Sequence, residues 1–147
     1  MDKVYDSYKQ EDTYEIGRKM GEEARAGDVY ALKGDLGVGK TVFTKGFAKG
    51  LGIEEHISSP TFTILNSYED GRIPFHHFDV YRISDIDEMD EIGYEDCFYG
   101  DGVSLVEWAG IIKELMPDNT VVISIEKNLE KGFDYRKITV GRNLSEL

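Results

Sequence analysis

The sequence predicts an α/β fold in which helices flank a central, mixed β-sheet. An apolar strand candidate at residues 29–32 precedes a glycine-rich turn and an amphipathic helix candidate at residues 40–51. Strands that alternate with helices in this way are typical of α/β proteins. Residues 61–69 and 73–82 predict two further strands joined by the turn dipeptide Asp70-Gly71. Because the strands of such a hairpin are antiparallel, the sheet is predicted to be mixed.

The length and composition are those of one acidic globular domain, which we expect to span residues 1–147. Of the 147 residues, 40% are hydrophobic and 12% are aromatic, enough to build a core. The formal net charge is -12, so direct binding to nucleic acid or to an anionic membrane surface is not expected. Cys97 is the single cysteine and cannot form an internal disulfide, and we find neither an 18-residue apolar run nor a secretory signal. We therefore expect a cytoplasmic protein.

The first helix is predicted over residues 12–26. Asp12 or Thr13 is expected to cap it, and apolar residues then recur at every fourth position. Gly17 and Gly21 lie beside this apolar stripe, where the lack of a side chain would let a neighbouring element approach closely.

The elements after the hairpin alternate between short helices and apolar strands. Their predicted bounds are a helix at 84–92, a strand at 103–106, a helix at 108–115, and strands at 120–125 and 135–140.

The glycine-rich turn matches the phosphate-binding loop motif G-x-x-x-x-G-K-[ST] at every fixed position. Its residues are Gly34, Asp35, Leu36, Gly37, Val38, Gly39, Lys40 and Thr41. Glycines let successive backbone N–H groups point at phosphate oxygens, and the following helix presents its positive end to the same anion. Lys40 would reach the β- and γ-phosphates of a bound nucleotide, and the Thr41 hydroxyl would bind Mg²⁺. A chance glycine turn is the alternative, but it would not require a strand before the motif and a helix after it. The predicted fold is therefore a P-loop NTPase-like domain.

Two carboxylates are candidates for the acidic group that such a loop needs. Strand alternation puts Asp79 on one face with His77 and Tyr81, which is a polar face for a strand in hydrophobic surroundings. Glu107 follows a buried apolar run, as expected at the carboxyl end of a central strand. In open α/β sheets, ligands bind at these carboxyl ends. The alternatives are a solvated face with an ion pair from Asp79 to Arg82, and a strand-end glutamate in water.

Three further features have both a functional and an ordinary interpretation. Thr61, in the loop Ser59-Pro60-Thr61, is a candidate sensor of the γ-phosphate, or simply a turn residue. Trp108 either belongs to the core, closes over the site or meets a partner. The acidic stretch at residues 84–101 contains no Lys or Arg, so it is either a solvated helix face or a docking surface for a basic partner.

Taken together, these motifs resemble those of the TsaE family, the small bacterial ATPases of tRNA threonylcarbamoyladenosine (t6A) biosynthesis. The phosphate loop alone is shared by many families, whereas its combination with three later motifs is specific. The matching segments are Gly34 to Thr41, Ser59-Pro60-Thr61-Phe62, His77-Phe78-Asp79-Val80-Tyr81-Arg82 and Leu105-Val106-Glu107-Trp108.

The resemblance implies an ATPase that uses ATP and Mg²⁺ and works with two partner proteins, TsaB and TsaD. TsaD would transfer the threonylcarbamoyl group to adenosine 37 of tRNA, so an acidic chain could serve this pathway while its partners hold the tRNA. By similarity Glu107 binds Mg²⁺ with Thr41, Asp79 is the Walker-B-like acid, and Thr13 and Arg136 contact nucleotide beyond the phosphates. Lys40, Asp79, Glu107 and Thr61 are the expected catalytic residues.

Two other functions remain open on the sequence alone. A small-molecule kinase would use the same loop, but such kinases usually have an arginine-rich lid, and the six arginines here are not clustered. A nucleotide-gated protein-binding module would bind ATP with only incidental hydrolysis. Because no arginine is obviously placed to complete the site, we expect slow hydrolysis by the isolated protein.

Overall fold

The computed structural model describes residues 2–35, 37–60 and 62–147. Seven strands form one sheet, and helices lie on its two faces. The strands are β1 (Lys3–Ser7), β2 (Val29–Lys33), β3 (Leu65–Tyr68), β4 (Phe75–Asp79), β5 (Val103–Glu107), β6 (Val121–Lys127) and β7 (Arg136–Gly141). The α-helices are α1 (Gln10–Glu23), α2 (Lys40–Gly50), α3 (Glu88–Glu91) and α4 (Tyr94–Phe98). Three 3₁₀ segments cover Ala109–Leu115, Leu129–Lys131 and Leu144–Glu146.

The sheet is mixed, as predicted, with the strand order β1-β7-β6-β2-β5-β4-β3. Its centre is parallel: β2 pairs with β5 and β6, and β4 pairs with β5. The predicted hairpin is confirmed, since β3 pairs antiparallel with β4. At the other side β7 runs antiparallel to both β6 and β1. The carboxyl ends of β2, β4 and β5 therefore meet at one edge of the sheet, where the phosphate-loop motif follows β2.

Two apolar clusters cover the two faces of the sheet. One is centred on Phe43 and Phe47 of α2 and includes Leu105 of β5. The other contains Phe98 and Met89, from the short helices α4 and α3. Burial on both faces explains why the central strands appear as continuous apolar runs in the sequence.

The two long helices, α1 and α2, pack backbone against backbone. A methyl group on Gly17 would meet the carbonyl group of Phe43, and one on Gly21 would meet the carbonyl oxygen of Phe47. Gly46 of α2 lies against Tyr14 of α1 in the same way. The close approach predicted at Gly17 and Gly21 is therefore confirmed, and it fixes the helix that begins at Lys40.

The N-terminus of α1 differs from the prediction. The helix begins at Gln10 rather than residue 12, Lys9 occupies the N-cap position, and no side chain caps it. Asp12 instead accepts a hydrogen bond from the Tyr8 backbone N–H (3.0 Å), and the Thr13 hydroxyl pairs with that of Ser7 (2.7 Å). Both side chains are used by the turn out of β1, so neither is free to cap the helix.

Strand β1 and helix α4 have no counterpart in the sequence prediction. Four of the five β1 residues are exposed at the sheet edge, so the strand shows no apolar alternation. The helix predicted at 84–92 is confined to Glu88–Glu91. Residues 84–87 form turns in which the Glu88 side chain accepts hydrogen bonds from the backbone N–H groups of Ser84 and Asp85. Gly93, with a φ of 74°, separates α3 from α4. The helix predicted at 108–115 is a 3₁₀ segment with non-helical geometry at Ile112. Within the described residues, no helix has the length and apolar character needed to cross a membrane.

Candidate functional site

The phosphate-loop motif lies between β2 and α2, and its glycines occupy positions where a side chain is disfavoured. Gly37 and Gly39 have φ values of 77° and 114°, in the left-handed region. A methyl group on Gly34 would lie 2.7 Å from Val38 Cγ1 and 2.8 Å from the Ile125 carbonyl oxygen. The loop conformation thus depends on glycine, as the motif predicts. Leu36 lies outside the described residues.

A cleft of about 370 Å³ opens beside this loop. The N-terminal turn of α2 lines one side, and the ends of β4 and β5 line the other. The lining residues of predicted function are Gly37, Gly39, Lys40, Thr41, Asp79 and Glu107, and they are joined by Ser59, His77 and Trp108. The fold therefore brings the phosphate loop and both candidate carboxylates to one cleft. Thr61 lies outside the described residues, although Ser58 and Ser59 of the same loop line the cleft.

Glu107 is the carboxylate that contacts the phosphate-loop lysine. Its Oε1 lies 3.7 Å from Lys40 Nζ, and its Oε2 lies 2.8 Å from His77 Nε2. All three side chains are largely shielded from water, with exposed fractions of 12% for Lys40, 13% for Glu107 and 4% for His77. Glu107 is not the solvated strand-end glutamate of the alternative interpretation. Poor solvation strengthens the electrostatic interactions between these groups.

Asp79 lies beside Glu107 at the end of the neighbouring strand. The two residues are register partners in the parallel pair β4 and β5. Asp79 is half-buried, and its carboxylate accepts a hydrogen bond from the Tyr81 backbone N–H (3.1 Å). Among the described residues, no ion pair joins Asp79 to Arg82. The Arg82 guanidinium instead lies 4.8 Å from the centre of the Phe62 ring.

Trp108 forms part of the rim of the cleft and is not a core residue. It is 44% exposed and has a φ of 64°, a rare conformation for a bulky side chain. Lys40 Nζ lies 5.0 Å from the centre of its ring, and the Tyr81 ring packs against it at 4.8 Å. A cation over the face of tryptophan is attracted by the ring electrons. The side chain therefore borders the lysine that the motif assigns to phosphate.

Thr13 and Arg136 meet at a second, smaller pocket of about 80 Å³, also bordered by the phosphate loop. Arg136 Nε donates to the Val38 carbonyl oxygen at 2.8 Å. Its Nη1 donates to the carbonyl oxygens of Phe133 and Tyr135. The Thr13 side chain is buried. These two residues, 123 positions apart in the chain, thus converge on the loop. Asp134 and Lys9 line the same pocket and were not singled out from the sequence.

His77 is the main residue of the cleft that sequence reasoning did not assign. The signal was present, since alternation placed His77 on the same face as Asp79, but nothing local indicated that its partner would be Glu107, 30 residues later. That contact arises only because β4 and β5 are paired.

The acidic stretch at residues 84–101 uses part of its charge locally. Glu88 accepts hydrogen bonds from the backbone N–H groups of Asp85 (3.0 Å) and Ser84 (2.9 Å). These bonds lower the pKa of the Glu88 carboxyl below its usual value, because they stabilise the ionised form. A docking role for the stretch stays a prediction.

Three comparisons with known proteins agree with one another. The family model described as "Threonylcarbamoyl adenosine biosynthesis protein TsaE" matches residues 7–138. The chain is 48% identical to the tRNA threonylcarbamoyladenosine biosynthesis protein TsaE of Bacillus subtilis over 129 residues, which is 88% of this chain and 78% of that one. It is 44% identical to the Treponema pallidum protein of the same name over 115 residues, covering 78% and 84% of the two chains. The crystal structure of Bacillus subtilis YdiB superposes with a TM-score of 0.79 at 39% identity, covering 99% of this chain and 93% of that one.

Proposed function

The chain belongs to the TsaE family and so to tRNA t6A biosynthesis, and from this premise we propose that it is a Mg²⁺-dependent ATPase that supports the threonylcarbamoyl transfer carried out by partner proteins. The observation that best supports the proposal is the convergence of Lys40 and Thr41, at the start of α2, with Glu107, at the end of β5. A P-loop lysine and hydroxyl next to a strand-end carboxylate are the groups that P-loop NTPases use.

Lys40 and the phosphate loop would bind the phosphates of ATP. With Gly37 and Gly39 in the left-handed region, backbone N–H groups of the loop would face an anion at the N-terminus of α2. Lys40 is poorly solvated, and its ion pair with Glu107 is a long one at 3.7 Å, so its charge is available to phosphate oxygens. These groups would neutralise charge that develops in phosphoryl transfer.

The residues present also fit a magnesium ion. Thr41 and Glu107 both line the cleft and offer a hydroxyl and a carboxylate oxygen, which are ligands of the type that Mg²⁺ prefers. Among the described residues, no cluster of three or more His, Cys, Asp or Glu side chains could hold a metal without help. This agrees with Mg²⁺ binding by few protein groups, because the ion keeps waters and uses substrate phosphates. When bound, it would supply charge stabilisation to the phosphates. Asp79, beside Glu107, or Thr61 would orient water or read the γ-phosphate.

The partners we propose are proteins of the TsaB and TsaD type. No arginine is found among the described residues that line the cleft. In other P-loop NTPases, an arginine that stabilises the transition state raises the rate of hydrolysis by a large factor. Hydrolysis by the isolated chain is therefore expected to be slow and to rise when partners bind. The aromatic rim formed by Trp108 and Tyr81 is exposed at the mouth of the cleft and would be within reach of such a partner.

The test is phosphate release from ATP and Mg²⁺ by the purified chain, alone and with a TsaB–TsaD pair. Turnover should rise with the pair and fall by at least about 100-fold in Lys40→Ala, because the lysine contributes charge at the phosphates. Lys45→Ala is the matched control, since Lys45 is an exposed lysine on the same helix and should leave turnover unchanged.

Two results would contradict the proposal. Tight ATP binding without turnover under either condition would favour the nucleotide-gated binding module. Transfer of the γ-phosphate to an added small-molecule acceptor, rather than to water, would favour the kinase.

A further inference from the structure

We propose that His77 is a positioning residue that holds the Glu107 carboxylate in the orientation needed for the metal, an inference that rests on the proposed function. His77 lies in β4, an inner strand of the sheet, and is 3% exposed. Its side chain reaches across to β5 and contacts Glu107 at 2.8 Å. Along the strand His77 lies between His76 and Phe78, and the residue before it on the same face is Phe75, so the packing there does not itself call for an imidazole.

Only one of the two ring nitrogens of His77, Nε2, has a polar partner among the described residues. Within the part of the chain that the structure describes, Nδ1 of His77 is buried and has no hydrogen-bond partner. A buried polar atom without a partner costs free energy, so a purely structural residue here would more economically be apolar. The one polar contact that the ring makes is therefore the one that accounts for its presence.

The direction of this hydrogen bond follows from the chemistry of the partner. An ionised carboxylate only accepts hydrogen bonds, so Nε2 of His77 carries the hydrogen and donates it to Oε2 of Glu107. This leaves Oε1 as the oxygen that faces Lys40, at 3.7 Å. The two oxygens of Glu107 thus have different roles: Oε2 accepts the hydrogen bond from His77, and Oε1 is directed to the phosphate loop.

The ring is itself held firmly enough to orient another side chain. It stacks on Phe75, the preceding residue on the same face of β4, with the ring planes 8° apart and the centroids 6.0 Å apart. Its strand lies between β5 and β3 in the sheet. A ligand carboxylate fixed by a rigid hydrogen-bond donor loses less freedom on binding a metal, and removing such donors typically lowers metal affinity by roughly 10- to 100-fold.

The experiment measures Mn²⁺ binding by electron paramagnetic resonance, in the presence of a non-hydrolysable ATP analogue, for variants that remove or restore the donor. His77→Phe keeps a ring that can stack on Phe75 but removes the N–H. His77→Gln places an amide N–H near the position of Nε2. His76→Phe is the matched control on the opposite face of the strand, where the ring bonds Ser67 and not Glu107.

We expect His77→Phe to raise the Mn²⁺ concentration at half-saturation by about 10-fold or more. Binding of the analogue without metal should not change, His77→Gln should recover part of the loss, and His76→Phe should match the wild type. Mn²⁺ binding by folded His77→Phe that equals the wild type would overturn the inference. If His77→Phe does not fold, His77→Asn replaces it, since its amide is too short to reach Glu107 and the same loss is expected.

A second measurement needs neither metal nor nucleotide. Long-range ¹H–¹⁵N spectra of the histidine rings should show hydrogen on Nε2 of His77, with a resonance that shifts in Glu107→Gln. An imidazole protonated on Nδ1 alone would overturn the inference.

The outcomes separate this inference from the proposed function. If the wild type shows no metal-dependent binding of the analogue, the proposed function fails. If Glu107→Gln weakens Mn²⁺ binding and His77→Phe does not, only the role of His77 fails.

Discussion

The contact between α1 and α2 predicts that Gly17→Ala destabilises the protein, although replacing glycine by alanine in a helix usually stabilises it. Replacing glycine by alanine in a helix interior normally stabilises a protein by about 1 kcal/mol, because alanine is the better helix former. At Gly17 the added methyl group would lie 3.2 Å from the Phe43 carbonyl carbon and 3.2 Å from the Phe47 backbone nitrogen, and closer still to the Phe43 carbonyl oxygen. All these atoms are backbone, so no side chain can rotate away and the helices must separate.

Overpacking of this kind costs about 1 to 3 kcal/mol. We place Gly17→Ala near the upper end of that range, because the obstructing atoms are backbone. Subtracting the gain in helix propensity leaves a net destabilisation of about 1 to 2 kcal/mol. For a chain of this size the melting temperature should fall by about 2 to 8 °C. Since α2 begins with Lys40 and Thr41, the displacement should also weaken nucleotide binding.

The assay is thermal unfolding followed by circular dichroism, with urea unfolding as a second measure of the free energy. Lys19→Ala, an exposed substitution on the same helix, is the control and should change the free energy of unfolding by less than about 0.5 kcal/mol. A Gly17→Ala protein that is as stable as the wild type, or more so, would refute the reasoning about the helix contact.

Two other predictions concern titratable groups outside the cleft. Burial lowers the pKa of His76 below its usual 6.5, so the unfolded chain binds a proton more readily than the folded one. The stability from a neutral His76 is thus fully present above pH 6.5 and is lost as the pH falls through the lower folded-state pKa. NMR titration of the ring should give a midpoint below 6.5, and the drop in stability on acidification should shrink in His76→Gln; a midpoint at or above 6.5 would contradict this. Burial also raises the pKa of the Cys97 thiol, which is 7% exposed, so Ellman's reagent should label it slowly at neutral pH and promptly in guanidinium. Equal labelling rates with and without guanidinium would show that the thiol is accessible in the folded protein.

Local patterns in the sequence were sufficient for much of the fold. The phosphate-loop motif, the continuous apolar strands and the Asp70-Gly71 turn each reflect interactions between residues close in the chain, so their residue types identify them directly. The mixed sheet followed from the hairpin alone. The same reasoning placed Glu107 at a strand end, because a carboxylate after an apolar run marks where the strand leaves the core, whereas Asp79 was placed by alternation on the polar face of a strand that in fact ends at this residue.

Local patterns failed where an element is held by partners distant in sequence. Strand β1 is stabilised by pairing with β7 and carries no apolar periodicity of its own. The cap predicted at Asp12 is wrong because that carboxylate bonds the backbone of Tyr8, and the short helix predicted at 84–92 begins only at Glu88, whose side chain accepts hydrogen bonds from the backbone N–H groups of Ser84 and Asp85. In each case a tertiary contact or a backbone conformation overrides the propensity of the residues.

The residues that form the cleft were therefore predictable from the sequence, whereas the contacts between their side chains were not. The motifs identify Lys40, Thr41, Asp79 and Glu107 by residue type and spacing. The parallel pairing of β4 with β5 brings His77 to Glu107, and the parallel pairing of β2 with β5 brings Glu107 beside the loop that leads to Lys40. The antiparallel β6–β7 pair carries Arg136 to the far side of the phosphate loop, 98 residues from Val38. Pairing between strands far apart in the chain depends on the packing of the whole sheet, so it cannot be predicted from any short segment of the sequence.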